Sequence, residues 1–581
     1  MRLLHDPVKK HIAEKILLLL SENSTTLKQV YENHVEPPNP DMGHLAFGCF
    51  QLAKLLRQGP PQISKSLQAK IQPDELIDSV SANGPYLNFM LKPAGIGQKT
   101  LNPILSGIYF KTILSEDTPK TMVEYSQPNT HKELHVGHMR NLCLGNSLVR
   151  ILKYSGYDLV ASTFPGDMGT HVAKCLWYMK YHNTEPVPVT NRGEWLGKHY
   201  SRGHIALEDE ENTPAGPKNK EQLTQIIKQL EAKSGEFYDL WKETRQWSID
   251  LMKSIYAWAD VKFDSWYFES EVDADSVKLV KKLLSEGKLQ KSDGAVGLDL
   301  THENLGFCLL LKSDGTGLYA TKDLELARRK FEDFKIQKNI YVVDMRQALH
   351  FKQVFRVLEL LGFPQAKDCF HLQYNFVELP DGAMSSRKGN IVPLVSLIHQ
   401  MEQMVKEQYL SRYKDEWTAQ EINLVATQVA KGAIFYGMLR MDNNKQIVFD
   451  MKEWLKIDGE SGPFIQYSYA RIESLCRKLG FEPKKSPNWA LLTEKSEINL
   501  EIYLMHFNET ALNAAENYKP ALLCNYLYDL AKKFNQFYHD CPIGTAASDD
   551  LKVTRLALAY AAGRVLKNGL ELLGIPAPEK M

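Results

Sequence analysis

Residues 121–166 leave few folds open to this chain. Residues 121–126 have a β-like composition, and Pro128 ends the run. Met139, Leu142, Cys143, Val149 and Leu152 then recur at helical spacing until Gly156, a residue suited to the left-handed turn that follows a helix. Residues 159–164 form a second apolar run, stopped by Pro165-Gly166. Strand, helix and strand in immediate succession make a βαβ unit, which demands a parallel sheet. Residues 340–343 repeat the strand signal ahead of another helical pattern. The expected fold class is therefore α/β, with a Rossmann-like doubly wound parallel sheet.

A chain of 581 residues is too long for one core, and its pattern divides three ways. Residues 1–110 read as an α+β unit. It has helices over 8–22 and 45–57, the second stopped by Gly59-Pro60-Pro61, and a turn at 83–85 leading into a strand. Residues 111–450 hold the sheet, interrupted by a polar, helix-rich insertion over about 180–270. Residues 451–581 are helical in pattern and read as an antiparallel bundle. Lys+Arg and Asp+Glu balance at 70 each, so overall charge does not single out a nucleic-acid partner. The eight cysteines are scattered without a C-x-x-C pair, which predicts a reducing, cytoplasmic setting and no metal-ligand set. No apolar run is long enough to span a membrane, so neither a membrane nor DNA is an expected partner.

The chemistry concentrates at the first strand-to-helix turn, His135-Val-Gly-His138. A helix N-terminus offers free N–H groups and the positive end of a dipole, which together hold phosphates. Gly137 lets a nucleotide approach the backbone, and two imidazoles can hydrogen-bond a phosphorus-centred transition state without acting as nucleophiles.

The wider stretch Val123-Glu-Tyr-Ser-Gln-Pro-Asn-Thr-His-Lys-Glu-Leu-His-Val-Gly-His-Met-Arg140 resembles the signature region of arginyl-tRNA synthetases, a class I aminoacyl-tRNA synthetase family. The resemblance continues through Gly166-Asp-Met-Gly169, residues 313–323, Gln347-Ala-Leu-His350 and the terminal residues 573–581, covering nearly the whole chain. It implies an arginine–tRNA ligase that activates L-arginine with ATP to arginyl-adenylate and pyrophosphate. The arginyl group then passes to the 3′-terminal adenosine of tRNA(Arg), with Mg²⁺ on the phosphates. By this resemblance His135, His138 and Lys132 are catalytic. They bind ATP together with Gly137, His350 and the loop residues Met384, Ser385, Arg387 and Lys388. That loop, Ala383-Met-Ser-Ser-Arg387, departs from the Lys-Met-Ser-Lys-Ser form of the wider class; the resemblance assigns the missing charge to Lys132, with Arg387 or Lys388 as further sources.

The family's arginine ligands fall on Glu124, Asn129, Tyr319, Asp323 and Gln347. Glu124 and Asp323 would meet the guanidinium fork, Tyr319 its plane or stem, and Asn129 and Gln347 the α-amino end. Asn83, Tyr86 and Asn88 correspond to positions that contact tRNA, and the bundle to an anticodon-binding domain. Relatives are usually monomers, so a monomer is expected. Two alternatives differ in class. One is a superfamily member charging another amino acid, opposed by Glu124 and Asp323. The other is a protein that holds tRNA without charging it, favoured only by the altered loop.

Overall fold

The computed structural model describes residues 2–20, 25–37, 39–379, 392–482 and 486–581. The N-terminal unit begins with helix Pro7–Leu18, whose first N–H groups are capped by the Asp6 carboxylate. Its sheet has the antiparallel order β1 (His34–Val35), β2 (Leu45–Gly48), β4 (Tyr86–Leu91), β3 (Ile77–Asn83). The helix expected over 45–57 thus splits: 45–48 pair with β4, and only Phe50–Leu56 is helical. Leu45 and Phe47 pack with Val8, Ile12, Leu87 and Phe89, and burial against that sheet overrides their helical spacing. Met505 completes this core, so the unit rests on the C-terminal bundle.

The central sheet is wholly parallel among its described strands. Its order is β12 (Cys369–Tyr374), β11 (Lys338–Asp344), β5 (Thr121–Glu124), β6 (Leu159–Thr163), β7 (Ser265–Trp266). Period-two alternation sorts its side chains. Val123, Ala161, Ile340 and Val342 join the large core that contains helix Val136–Tyr154, while Met122 and Val160 meet Phe331 and Ile336 in a separate cluster. The chain leaves β5 toward β6 and leaves β11 toward β12. Adjacent strands β5 and β11 therefore send their following segments in opposite directions, which opens a crevice at their carboxyl ends.

Four helices separate β6 from β7: Thr170–Tyr181, Arg192–Asp209, Gly216–Glu231 and Glu236–Ala259. A meander of β8 (Gln290–Ser292), β9 (Ala295–Asp299) and β10 (Phe307–Leu311) precedes helix Tyr319–Phe334, which leads back into β11. Beyond residue 394 the described chain is almost all helix, ending in Pro520–Asp540 and Asp549–Leu572.

Helix Val136–Tyr154 is buried nearly all round because the sheet covers one side and the bundle the other. Gly145 is where it touches β5's continuation: a Cβ there would lie 2.1 Å from the Tyr125 ring. Gly145→Ala therefore overpacks this seam, and the expected loss of about 1–3 kcal/mol outweighs the helix-propensity gain. A lower thermal midpoint by circular dichroism checks it.

Candidate active site at the switch point of the parallel sheet

β5 runs into a loop held by two non-glycine residues in the left-handed region, Ser126 (φ 54°) and His131 (φ 59°). Asn141, from the helix that follows, braces it. Its Oδ1 accepts from the Ser126 N–H (2.5 Å), and its Nδ2 donates to the Val342 carbonyl of β11 (2.8 Å). The insertion's last helix holds the other side: Ser248 Oγ accepts from the His131 N–H (2.9 Å), and Thr244 meets His131 Nε2 (2.8 Å).

His135 is the N-cap of helix Val136–Tyr154. Its Nδ1 accepts from the Gly137 N–H (3.1 Å), and Nδ1 of His138 accepts from the His135 N–H (3.1 Å). A backbone N–H can only donate, so both rings carry their proton on Nε2. The two imidazoles, with centroids 4.0 Å apart, are thus one reciprocal helix cap. Gly137 is required here because a Cβ would lie 2.9 Å from the His135 ring. Burial first, then the charges of Lys132 and Arg346, pushes His135 down to about 4. Burial, with His135 and Lys132, pushes His138 well below the ordinary range. Lys132 also lowers His171, after burial, so one ammonium acts on three neutral rings. It lies 5.0 Å from the centroid of Tyr200, contributed by the insertion.

Across the crevice, β11 ends at Asp344, which grips Arg346 in two hydrogen bonds (2.9 and 2.7 Å). Gln347 and His350 follow at the start of helix Ala348–Leu360. His350 Nε2 meets Asp323 Oδ2 at 2.6 Å, so this histidine engages the carboxylate expected to bind arginine. Tyr319 opens the helix that carries Asp323 and is 71% exposed. Glu124 is buried in an ion pair with Lys330, and its other oxygen accepts from Gln127 Nε2 (3.2 Å). Asn129 bridges to Gly166, where a Cβ would strike Asn129 Oδ1 at 2.3 Å and approach Glu269 Oε2 at 3.3 Å. Glu269 pairs with Lys322 (2.5 Å); burial still raises its carboxyl above the usual range. Asp167 is wholly interior, tied to Arg245 (2.6 Å) and Ser270.

Met384, Ser385, Arg387 and Lys388, with Ala383 and Ser386, lie outside the described residues. Both flanks of their segment are fastened to the histidine turn. Leu394 N–H donates to the Leu134 carbonyl (2.8 Å), and Pro393 bridges His135. On the other flank Arg140, 2% exposed, donates to the carbonyls of Asn375 (2.6 Å) and Phe376 (3.2 Å).

The three residues expected to touch tRNA sit apart, on the β3–β4 hairpin of the N-terminal unit. Asn83 and Tyr86 are exposed, Tyr86 edge-on to Phe50, but Asn88 is only 5% exposed beneath Gly43. In the bundle, Phe534 and Phe537 are core. Tyr467, Arg471 and Tyr538 line a cleft of about 390 Å³ with Arg412, Trp417 and the terminal Met581.

Sequence spacing does not single out Lys330, which reads as the third member of a basic run after Arg328 and Arg329. Its two-turn offset from Asp323 was the available signal. Arg140 is equally silent, because its partners are carbonyls, which carry no sequence signature.

Family models match three consecutive parts of the chain. They are an arginyl tRNA synthetase N-terminal domain over residues 6–91, a class I (R) tRNA synthetase catalytic domain over 102–451, and a DALR anticodon binding domain over 465–581. The chain is 62% identical over 558 residues to an arginine–tRNA ligase of Bdellovibrio bacteriovorus, covering 96% of each. It is 34% identical to one of Halothermothrix orenii, covering 98% of this chain and 99% of that protein. Among solved structures, the Thermus thermophilus arginyl-tRNA synthetase superposes with a TM-score of 0.81 at 26% identity, over 99% of this chain and 100% of that one. The Plasmodium falciparum enzyme has the same fold, with a TM-score of 0.74 at 21% identity over 99% and 98% of the two chains.

The buried histidines make a pH prediction. His131, His135 and His171 lie near 3, 4 and 3 when folded, against an ordinary 6.5. Between those values the unfolded chain binds protons that the folded chain refuses, so the stability these rings contribute is complete above about 6.5 and is lost as pH drops toward 3. Each histidine contributes at most about 1.4 kcal/mol per pH unit. Denaturant midpoints should be lower at pH 5 than at pH 7.

Proposed function

The chain belongs to the class I arginyl-tRNA synthetases, and from that premise we propose which of its residues carry the reaction. It is an arginine–tRNA ligase: it activates L-arginine with ATP to arginyl-adenylate, releasing pyrophosphate, then transfers arginine to the 3′-terminal adenosine of tRNA(Arg). The observation carrying the assignment is the pair of Nε2–H donors at one helix N-terminus, fixed opposite Asp323, His350 and Gln347 across the β5–β11 crevice.

In the first step an arginine carboxylate oxygen bonds to the α-phosphorus as the bond to the β-phosphate oxygen breaks. His135 and His138 each donate one Nε2–H to phosphate oxygens, and Lys132 supplies the positive charge that the altered loop lacks. Neutral imidazoles suit this role, because donation without proton transfer needs no titration at neutral pH. In the second step a ribose hydroxyl of the terminal adenosine, the 2′-OH, attacks the arginyl carbonyl and AMP leaves. Asp323 and Glu124 hold the guanidinium, Tyr319 covers its stem, and Asn129 and Gln347 hold the α-amino end. A Mg²⁺ ion would supply charge neutralisation on the triphosphate; the described groups at the histidine turn are N–H donors and a cation rather than the oxygen ligands a hard ion takes, so none of them would hold it. The chain works as a cytoplasmic monomer, and among the described residues no helix is long and apolar enough to cross a membrane. Asn83 and Tyr86 offer an exposed tRNA contact, and the cleft around Tyr467 and Arg471 suits unpaired bases.

ATP–pyrophosphate exchange with each amino acid, with and without tRNA, tests the whole reading. Exchange is expected with arginine alone among the amino acids and only when tRNA is present. His138→Gln, which can place an N–H near the Nε2 position, should retain more exchange than His138→Asn. The asparagine variant should lose roughly 10²–10³-fold, the usual effect of removing one transition-state donor. Lys132→Ala should slow activation far more than it weakens tRNA binding in a filter assay.

A further inference from the structure

Glu124 and Asp323 raise a charge problem that the arginine assignment leaves open. A guanidinium carries one positive charge, and two bare carboxylates in a largely buried pocket carry two negative ones. Like charges there drive one carboxyl to keep its proton. A protonated carboxyl would then turn an O–H toward a ligand that only donates.

The chain answers with Lys330. It lies seven residues beyond Asp323 on helix Tyr319–Phe334 and is fully buried. Its ammonium pairs with Glu124 and sits 4.4 Å from the centroid of Tyr341, the residue in register with Glu124 on the neighbouring strand. The other charged groups around the crevice are also matched. Among the described residues Glu269 has Lys322, Asp344 has Arg346, and Asp323 alone of these has only a histidine, His350. The groups facing Glu124 are Lys330 from the helix, Gln127 from its own loop and the Tyr341 phenol from β11. Cys369 of β12 adjoins Lys330, and burial holds it as a neutral thiol.

The geometry points to Lys330 as the positioning residue that sets the arginine pocket's charge: its ammonium offsets and holds the Glu124 carboxylate, while Asp323, hydrogen-bonded to His350, is the carboxylate left to match the charge of the guanidinium. The pocket then matches a monocation. A neutral isostere such as citrulline gives Asp323 no cation beyond its hydrogen bond with His350, and a dication finds no second charge. The inference rests on the reading of Glu124 and Asp323 as guanidinium ligands.

The test uses the full-length enzyme with tRNA, reading KM for arginine and for ATP across pH 6–9 in Lys330→Met, Lys330→Arg, Glu124→Gln and the double variant Glu124→Gln/Lys330→Met. Lys330→Met is expected to raise KM for arginine roughly 30-fold or more, the usual consequence of stripping one partner from a buried charge pair. KM for ATP should not change. The arginine KM should also gain a pH dependence, falling as pH rises and the unsupported Glu124 loses its proton. Lys330→Arg should restore both the value and the flat profile. An unchanged arginine KM with a flat profile in a folded Lys330→Met protein overturns the inference. If that variant does not fold by circular dichroism, the double variant, which removes both buried charges, decides. It should bind arginine better than Glu124→Gln alone, where the Lys330 cation would face the guanidinium. Equal or weaker binding overturns the inference. An arginine KM untouched by Glu124→Gln instead overturns the underlying ligand reading, and the inference falls with it.

Discussion

A buried guanidinium with no carboxylate hydrogen-bonded to it among the described residues holds the candidate site together. Arg140 projects from the histidine helix and donates to four backbone carbonyls, Asn375, Phe376, Asn443 and Lys445. Burial lowers it to about 10, and Tyr374, Asp344 and Asp442 oppose that shift. It remains charged at neutral pH, and its hydrogen bonds are charge-assisted. The two carbonyl pairs come from chain segments about seventy residues apart, so one side chain ties together the histidine helix, residues 375–376 and the 442–445 turn. That turn is itself held to the bundle, through Asn443 to the Tyr518 carbonyl (2.9 Å) and Asp442 to Lys519 (2.8 Å). The helical domain and helix Val136–Tyr154 are therefore rigidly connected by way of Arg140.

The insertion has a comparable structural role on the opposite side. Its last helix supplies Arg245 to Asp167, Trp241 to the Asp167 carbonyl, and Thr244 and Ser248 to His131. Those bonds secure both loops that leave the sheet at β5 and β6. Loops carrying positive-φ residues such as Ser126 and His131 need external fixing, since left-handed backbone costs energy outside glycine. An element that interrupts the sheet in sequence thus stabilises the sheet's working edge in space.

Much of this was legible before any coordinates. The strands at 121, 159 and 340, the helix after the histidines and the helical C-terminal part follow from local patterns that tertiary packing reinforces. The 45–57 segment was not legible, because residues 45–48 have apolar spacing compatible with either state and only the β4 partner decides between them. At the site, His135, Lys132 and Asp323 stand where a motif makes them visible, while Lys330, Arg140 and Tyr200 act through partners distant in sequence. Asn88 shows the reverse case. It keeps a recognisable position on its strand, yet the Gly43 loop covers it, and burial of this kind cannot be read from residue type.

The reciprocal cap of His135 and His138 has a consequence for metal chemistry. Two adjacent imidazoles ordinarily form a chelate for zinc, nickel or copper, each offering a ring lone pair. Here both Nδ1 lone pairs are filled by backbone N–H groups, and both outward nitrogens carry hydrogen. Ligating a transition ion would require reversing a tautomer and leaving a backbone N–H of the helix's first turn without its acceptor. The histidine pair is therefore a poor transition-metal chelator by construction, and its two outward N–H groups are left as donors.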